Sequence, residues 1–275
     1  MLLVYNDATK HTLALLRDNL PQSLLLEGLP GVGLLTAAQQ LAAGETAAII
    51  RPTDSDGNLD TTAKGIIRVS QIHELQQQAR GKSARKQVFI IDDADHMNLQ
   101  AQNALLKLLE EPSSSVHFIL TAHQPHILLP TILSRVQRVT VHPISHLDSQ
   151  RLISKLGVTD QHKIAQLLFI AEGRPAELQR LIADEKYFAG QAVLVNDART
   201  FISGTLEARI GVLVQYQSDR PKTLQLLEMA RSILLFSVQR APTPELISLL
   251  DRLSTTYDAI ARNGSVRLQL VNFVI

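Results

Sequence analysis

The sequence predicts an α/β domain built on a parallel sheet, followed by a region that is entirely α-helical. Up to about residue 144, short apolar segments alternate with helix-forming segments, and this order is typical of a parallel sheet with helices on both faces. From residue 145 onward, apolar residues recur at helical spacing and no segment has a convincing strand pattern. A chain of 275 residues is long enough for two or three small domains.

The predicted strands are compact apolar runs bounded by polar residues, Gly or Pro. They cover 23–28, 46–53, the first residues of 66–80, 87–95, 116–123 and 137–144. The segments between them favour helices, which we place at 12–20, 34–44, the rest of 66–80 after an N-cap at Ser70, 98–112 with a stop at Pro112, and a short helix from Thr131. Beyond the sheet we expect three short helices within 147–186 and four or five longer ones within 187–275.

The composition restricts the classes of function. There are 27 Lys and Arg against 26 Asp and Glu, so the chain lacks the overall basic charge that indicates nucleic-acid binding. The absence of cysteine excludes disulfides, thiolate zinc sites and a cysteine nucleophile. The N-terminus does not have the pattern of a signal peptide, and no uncharged apolar stretch approaches about 18 residues. We therefore expect a cytoplasmic protein without a membrane span.

Three glycines between the first strand and the following helix have the spacing of a phosphate-binding loop: Gly28, Gly31 and Gly33. In such a loop, backbone N–H groups bind the phosphates, a Lys adds positive charge and a Ser or Thr holds Mg²⁺. Leu34 and Leu35 stand at those two positions and can do neither, and Thr36 comes one residue late. The favoured interpretation is a former nucleotide site that no longer hydrolyses ATP. A plain strand-to-helix turn and residual nucleotide binding through backbone groups are the alternatives.

A second element of a nucleotide site is the segment "VFIIDDAD", in which the apolar strand residues are followed directly by Asp92 and Asp93. Proteins that hydrolyse ATP with this pattern use the first acid to organise Mg²⁺ and a Glu at the second position to polarise the attacking water. Asp93 is one methylene shorter than that Glu, which weakens in-line positioning. Because the phosphate-loop Lys is missing as well, a structural role at the end of a sheet strand is favoured for both acids.

The block from 98 to 141 carries a resemblance to a known family. Its segments "QNALLKLLEEP" (102–112) and "LLPTILSRVQ" (128–137) are similar, almost position for position, to the AAA+ clamp-loader subunits of bacterial DNA polymerase III. The opening "LPQSLLLEGLPGVG" and the C-terminal "YDAIARNGSVRLQLVNFVI" resemble the same family. The resemblance therefore covers nearly the whole chain.

The resemblance implies an AAA+ sheet domain at 1–144, a small helical lid at 145–187 and a helical collar at 188–275. Tau and gamma subunits keep an intact phosphate loop and delta prime subunits often have a degenerate one, so the loop of this chain implies a delta prime-like subunit. Such a subunit forms a hetero-oligomer with tau/gamma and delta subunits, and the complex places the sliding clamp on primer-template DNA. Thr121 stands at the sensor-strand position.

The resemblance also bears on cofactors. Many relatives have a four-cysteine zinc module, whereas residues 45–66 resemble a shortened replacement without cysteine. We expect no zinc, no other metal and no cofactor of the chain's own, with ATP bound by neighbouring subunits. In the lid motif "EGRPAEL", Ala176 stands where ATP-hydrolysing members have a sensor Arg, and Arg174 is two residues early. We therefore do not expect Arg174 to sense a nucleotide on its own subunit.

Arg135, preceded by Ser134, matches the Ser-Arg of the family's "SRC" signature, with Val136 in place of the Cys. The resemblance implies an arginine finger that acts in trans on the γ-phosphate of a neighbouring subunit. A guanidinium suits this task because it is planar, permanently charged and able to bind in a bidentate manner. The alternative is a surface Arg paired with an Asp or Glu.

For the whole chain, the favoured interpretation is a subunit of a DNA-directed DNA polymerase holoenzyme without ATPase activity of its own. The alternatives are a self-sufficient, tau/gamma-like AAA+ ATPase with a divergent phosphate loop, and a free-standing adaptor that binds no loader.

Overall fold

The computed structural model describes residues 4–59, 65–79, 86–110 and 113–274. The chain divides into two compact units, 1–182 and 183–275. The further division of the first unit at residue 144 and the collar boundary at 187 stay predictions. Pro112 and residues 60–64 of the shortened segment lie outside the described residues. Within the described part of the chain, no helix is long and apolar enough to cross a membrane.

The first unit contains a five-stranded sheet in which every pair of neighbouring strands is parallel, in the order β2-β3-β4-β1-β5. The strands are β1 Ser23–Glu27, β2 Thr46–Ile50, β3 Gln87–Ile91, β4 Val116–Ala122 and β5 Gln137–Thr140. The predicted parallel sheet is confirmed. A strand near residue 66 is wrong, because Ile66 and Ile67 form only isolated bridges with Thr53 and Met97.

Eight helices in the described part of this unit pack on the sheet or follow it. They are α1 Asp7–Asp18, α2 Leu34–Ala42, α3 Val69–Ala79, α4 Leu99–Glu110, α5 Pro130–Leu133, α6 His146–Lys155, α7 Gln161–Ala171 and α8 Pro175–Ala183. Two predicted starts are wrong. The first helix begins before residue 12 because the Asn6 side chain accepts a 2.7 Å hydrogen bond from the Thr9 N–H and caps the helix there. Ser70 lies inside α3 rather than at its N-cap.

The two faces of the sheet bury separate apolar cores because successive side chains of a strand point to opposite faces. One core includes Leu25, Phe89, Phe118 and the apolar sides of α3, α4 and α5. The other includes Leu24, Val88 and the apolar sides of α1 and α2. A sheet covered on both faces explains why its strands are continuous apolar runs rather than alternating ones.

The second unit consists, within its described residues, of five α-helices joined by short turns. Its helices are α9 Glu185–Ser203, α10 Leu206–Tyr216, α11 Arg220–Arg240, α12 Pro244–Ala261 and α13 Val266–Val274. Phe201 and Phe273 stack at its centre with ring centroids 5.0 Å apart. Arg209 and Arg252 each donate a hydrogen bond to the Phe273 carbonyl, at 3.2 and 3.1 Å, and so cap the end of α13. The predicted helical C-terminal region is confirmed.

Candidate functional site

The glycine loop connects the end of β1 to α2. Gly31 and Gly33 have φ angles of +86° and +94°, which favour glycine because other residues meet a steric penalty there. Gly28 is required for a different reason: a Cβ at this position would lie 2.6 Å from the Val141 carbonyl oxygen. The loop therefore depends on glycine for its backbone conformation and for its close contact with Val141, which follows β5.

The two leucines that replace the phosphate-loop Lys and Ser/Thr belong to the core. Leu34 is the first residue of α2 and is only 3% exposed, packed with the apolar residues of α1 and β1. Leu35 is half-buried against the same core, and Thr36 is half-buried in the first turn of the helix. Neither leucine can supply a cation or a hydroxyl to a phosphate. Their side chains instead pack α2 against the sheet.

The N-terminus of α8 docks on the glycine loop. The Gly31 carbonyl accepts hydrogen bonds from the Ala176 N–H at 2.9 Å and from the Glu177 N–H at 3.1 Å. The contact is close, because a Cβ on Gly31 would lie 2.8 Å from Cβ of Glu177. Free N–H groups at a helix N-terminus are the donors that bind anions. Here two of them are used by the loop itself.

Arg174, next to this contact, is used within its own helix pair. Its Nε donates to the Ala171 carbonyl at 2.9 Å and its Nη2 to the Ile170 carbonyl at 2.7 Å. These are carbonyls at the end of α7, which a basic side chain commonly caps. In this position the guanidinium serves the end of α7.

Asp92, the first acid after β3, is largely buried and paired. Its Oδ1 accepts a 2.8 Å hydrogen bond from the Thr121 hydroxyl, and its Oδ2 lies 3.4 Å from Nε of Arg51. Burial, followed by the nearby charge of Asp93, raises the pKa of the Asp92 carboxyl above its ordinary value. Thr121 also accepts a 2.9 Å hydrogen bond from the Asp93 N–H. The predicted sensor-strand residue is thus enclosed between the two acids of its own chain.

His123 connects the glycine loop to the second acid. Its Nδ1 lies 2.8 Å from the Gly28 carbonyl oxygen, and its Nε2 lies 3.3 Å from Oδ1 of Asp93. Burial alone lowers the pKa of His123, but its hydrogen bonds to Asp93 and Gly28 outweigh burial and raise that pKa above its ordinary value. The same hydrogen bond holds the pKa of Asp93 below its ordinary value. When it is protonated, this imidazole supplies positive charge between the loop and the acids.

A third acid, Asp95, bonds to the backbone that follows β4. It is 8% exposed, and its Oδ2 accepts hydrogen bonds from the His123 N–H at 3.2 Å and the Gln124 N–H at 2.8 Å. These bonds fix the backbone at the point where β4 ends and so set the position of the imidazole. Among the described residues, no group of three or more His, Asp or Glu is arranged to hold a metal ion.

Arg135 follows α5 and remains accessible at the surface. Its side chain is 35% exposed and forms an ion pair with Glu110, at 2.9 Å between Nη2 and Oε1. Its Nη1 donates to the Thr131 carbonyl at 2.9 Å and to the Ser134 hydroxyl at 3.3 Å. Both outcomes weighed from the sequence are therefore compatible with the structure: the guanidinium is paired with a carboxylate, and it is presented to solvent.

The turn that carries Arg135 is fixed from inside the unit by Gln102. This side chain is 4% exposed; its Nε2 donates to the Met97 carbonyl at 3.1 Å, and its Oε1 accepts from the Leu129 N–H at 2.8 Å. Leu129 is the residue before α5. The start of α4 therefore sets the position of α5 and of the arginine after it.

The glycine loop and Arg135 lie at opposite edges of the sheet. In the parallel pair β1–β5, Leu24 is level with Gln137, and Glu27 is level with Thr140. Gly28 follows the end of β1, whereas Arg135 precedes the start of β5. The four paired residues of each strand lie between the glycine loop and Arg135, and they span roughly 13 Å at 3.3 Å per residue. The sequence does not reveal this separation without the strand register.

The comparisons with known proteins agree with the resemblance found in the motifs. Residues 45–145 match the family model described as DNA polymerase III, delta subunit. The DNA polymerase III subunit delta' of Bacillus subtilis (strain 168) is 29% identical over 214 residues, which cover 71% of this chain and 62% of that protein. This chain is similar to delta prime subunits. It is also 25% identical to the DNA polymerase III subunit tau of the same organism over 230 residues, 75% of this chain and 41% of tau.

The chain thus spans less than two thirds of the length of these delta prime and tau relatives. Among solved structures, a DNA polymerase III gamma subunit-related protein from Thermotoga maritima superimposes with a TM-score of 0.55 at 18% identity, covering 98% of this chain and 97% of that one. At this identity the likeness concerns the fold alone. It confirms the predicted fold class, an α/β domain with a parallel sheet followed by a helical part.

Several residues of the site were not predicted from the sequence, among them His123, Gln102 and Glu110. No sequence motif gives the histidine a role. Glu110 and Gln102 were quoted as parts of a motif without a role. Once the fold is known, these residues lie beside the acidic end of β3 or beside the turn that carries Arg135. The sequence does not indicate this, because the partner of each residue is remote in sequence.

Proposed function

We propose that this chain is a delta prime-like subunit of a DNA polymerase III clamp loader in the cytoplasm. It does not hydrolyse ATP, and its Arg135 acts in trans on ATP bound by a neighbouring subunit. The partners are tau/gamma and delta subunits and, through the complex, the sliding clamp and primer-template DNA. The similarity to delta prime and tau subunits supports this assembly.

The groups present at the glycine loop do not suit ATP and Mg²⁺. The positions of the phosphate-binding cation and the Mg²⁺-binding hydroxyl hold Leu34 and Leu35, which pack in or against the core. The Gly31 carbonyl is bonded by the start of α8. Asp92 and Asp93 are each paired with a basic side chain of the same chain. These contacts support a loop that is kept for the fold, and no step of hydrolysis is assigned to it.

The observation that carries the proposal is the placement of Arg135. Its guanidinium is exposed at the amino edge of the sheet, whereas the chain's own glycine loop lies at the carboxyl edge. A γ-phosphate contacted by this arginine would therefore have to belong to another subunit. An arginine supplied in this way stabilises the negative charge that develops during phosphoryl transfer, and it accounts for about 10³–10⁵ in rate in well-studied cases.

Reconstitution of the complex tests the proposal. The chain is mixed with tau/gamma-type and delta-type subunits, and ATP turnover is measured with clamp and primed DNA. We expect Arg135→Ala to remove the share of turnover that comes from the one site it serves, while the complex still assembles. Arg138→Ala is the matched control, because Arg138 is also exposed and also paired with a glutamate, Glu27, at 2.8 Å. Unchanged turnover by an intact Arg135→Ala complex would refute the finger role.

One observation favours a second candidate, a tau-like subunit that hydrolyses ATP by itself. The tau alignment covers 75% of this chain, slightly more than the 71% of the delta prime alignment. ATP turnover by the purified chain alone, lost on substitution at Asp92, would support this candidate. The buried leucines of the loop argue against it.

A further inference from the structure

Glu110 carries a negative charge at an unfavourable place. α4 is described as far as Glu110, and Pro112 follows two residues later in the sequence, so the carboxylate lies near the carboxyl end of the helix, which disfavours acids and favours cations. The Glu110 carboxylate lies 2.9 Å from Nη2 of Arg135, and about half of the side chain is exposed. An exposed ion pair of this kind contributes little to folding. Stability therefore does not explain why an acid stands there.

The pair does, however, restrict Arg135. An arginine side chain has four rotatable bonds and loses considerable entropy when it is fixed. The Thr131 carbonyl and the Ser134 hydroxyl hold Nη1 from the α5 turn, and Glu110 holds Nη2 from the end of α4. The guanidinium is thus held from two elements, and these are joined in turn by Gln102.

The contacts leave part of the guanidinium available. Nη1 donates to two acceptors of the α5 turn and Nη2 faces one carboxylate, whereas Nε–H has no hydrogen-bond partner among the described residues. A guanidinium can bind two oxygens of a phosphate at once when two of its N–H groups are available. At least Nε–H of Arg135 is available to a phosphate oxygen while the glutamate stays beside Nη2.

We propose that Glu110 is a positioning residue for Arg135. Its carboxylate fixes the guanidinium at the surface, so that the arginine is ordered before it meets a phosphate of the neighbouring subunit. This inference rests on the proposed function. It adds that the rate depends on an acid that touches neither ATP nor the neighbouring chain's reacting atoms.

The test uses the reconstituted complex with clamp and primed DNA. We expect Glu110→Ala to lower the share of kcat that depends on Arg135 about three- to tenfold without changing KM for ATP, because the long Arg135 side chain then has to become ordered during the reaction. Glu110→Gln keeps an acceptor oxygen and should recover most of the loss. Glu45→Ala is the control: Glu45 pairs with Lys86 at 3.5 Å, with side-chain exposures of 45% and 32% that match the Glu110–Arg135 pair.

A double-substitution cycle separates positioning from a general structural effect. In an Arg135→Ala background, Glu110→Ala should cause no further loss of kcat. An equal loss in that background, or an unchanged kcat for the single Glu110→Ala variant in an intact complex, would overturn the proposal. If Arg135→Ala itself changes nothing, the proposed function fails first. If only Glu110→Ala is silent, the positioning role alone fails.

Discussion

The two edges of the parallel sheet in the first unit differ in how their polar groups are used. At the carboxyl edge, the glycine loop and the acids after β3 are bonded to α8, Arg51 and His123 of the same chain. At the amino edge, Arg135 is ordered but keeps part of its guanidinium available. The difference shows that a sequence motif alone does not indicate what the residues of the motif bind. What a site can bind depends on which donors and acceptors its own chain has left unpaired.

This difference has a direct experimental meaning. Substitutions at the carboxyl edge should change the stability of the chain and leave its contribution to a complex intact wherever it still folds. Substitutions at the amino edge should change turnover in the complex.

The largest effect on stability is expected for Gly28→Ala. The new Cβ would lie 2.6 Å from the Val141 carbonyl oxygen, and because this is backbone against backbone, no side-chain rotation relieves the contact. We expect a loss of about 3 kcal/mol in the free energy of unfolding, the upper end for overpacking. Chemical denaturation monitored by circular dichroism measures it.

Gly157→Ala is the control for this substitution in the same unit. Gly157 has a φ of +80°, but nothing lies within 4 Å of a Cβ there, so only the backbone penalty of about 1–2 kcal/mol applies. A Gly28→Ala variant as stable as the parent chain would show that the loop is not closely packed, and the division between the two edges would fail at its first step.

A smaller loss is expected for Gln102→Met at the amino edge. The substitution keeps the volume but removes the hydrogen bond that Oε1 accepts from the Leu129 N–H and the one that Nε2 donates to the Met97 carbonyl. A buried N–H left without a partner costs about 1–3 kcal/mol. Because the α5 turn then loses its hydrogen bond to α4, turnover in the complex should fall as well.

Gln76→Met serves as the control, since Gln76 makes a similar 2.9 Å bond to the Ala104 carbonyl but is only half-buried. Normal turnover in a destabilised Gln102→Met complex would contradict this coupling.

The strands and their parallel arrangement could be predicted because fully covered strands are continuous apolar runs. The limits of helices were less predictable: α1 starts at Asp7 because one local hydrogen bond from the Thr9 N–H to Asn6 caps it, and no apolar periodicity records such a bond. Arg135 could be proposed because its surroundings form a recognisable motif.

The contacts of the site could not be predicted. His123 bonds to Gly28 and Asp93, and Glu110 bonds to Arg135, across long stretches of chain. Which pairs meet depends on strand order and register, and the sequence pattern shows neither. A scattered histidine and a helix-terminal glutamate have no periodicity that would distinguish them from surface residues. Their roles follow from the fold rather than from local sequence.

The smallest effect concerns pH and His123. The pKa of His123 is raised in the folded chain above its ordinary value of 6.5, so protonation favours the folded state. Its stabilising contribution is complete below about pH 6.5 and is lost as the pH rises through the folded pKa. Asp93 has a lowered pKa, so its contribution is present above its ordinary value of 3.8 and is lost as the pH falls through its folded pKa. The bond between them therefore stabilises most in mildly acidic solution.

His123→Gln tests this sign, because Gln can still bond to Gly28 but carries no charge. The parent chain should exceed the variant in free energy of unfolding near pH 6, by less than about 1 kcal/mol since the pair is partly exposed, and the difference should shrink toward pH 9. His117→Gln is the control: His117 also bonds to a backbone carbonyl, that of Pro21 at 3.0 Å, but forms no ion pair among the described residues. A difference that grows with pH would mean that the imidazole is neutral in the folded chain.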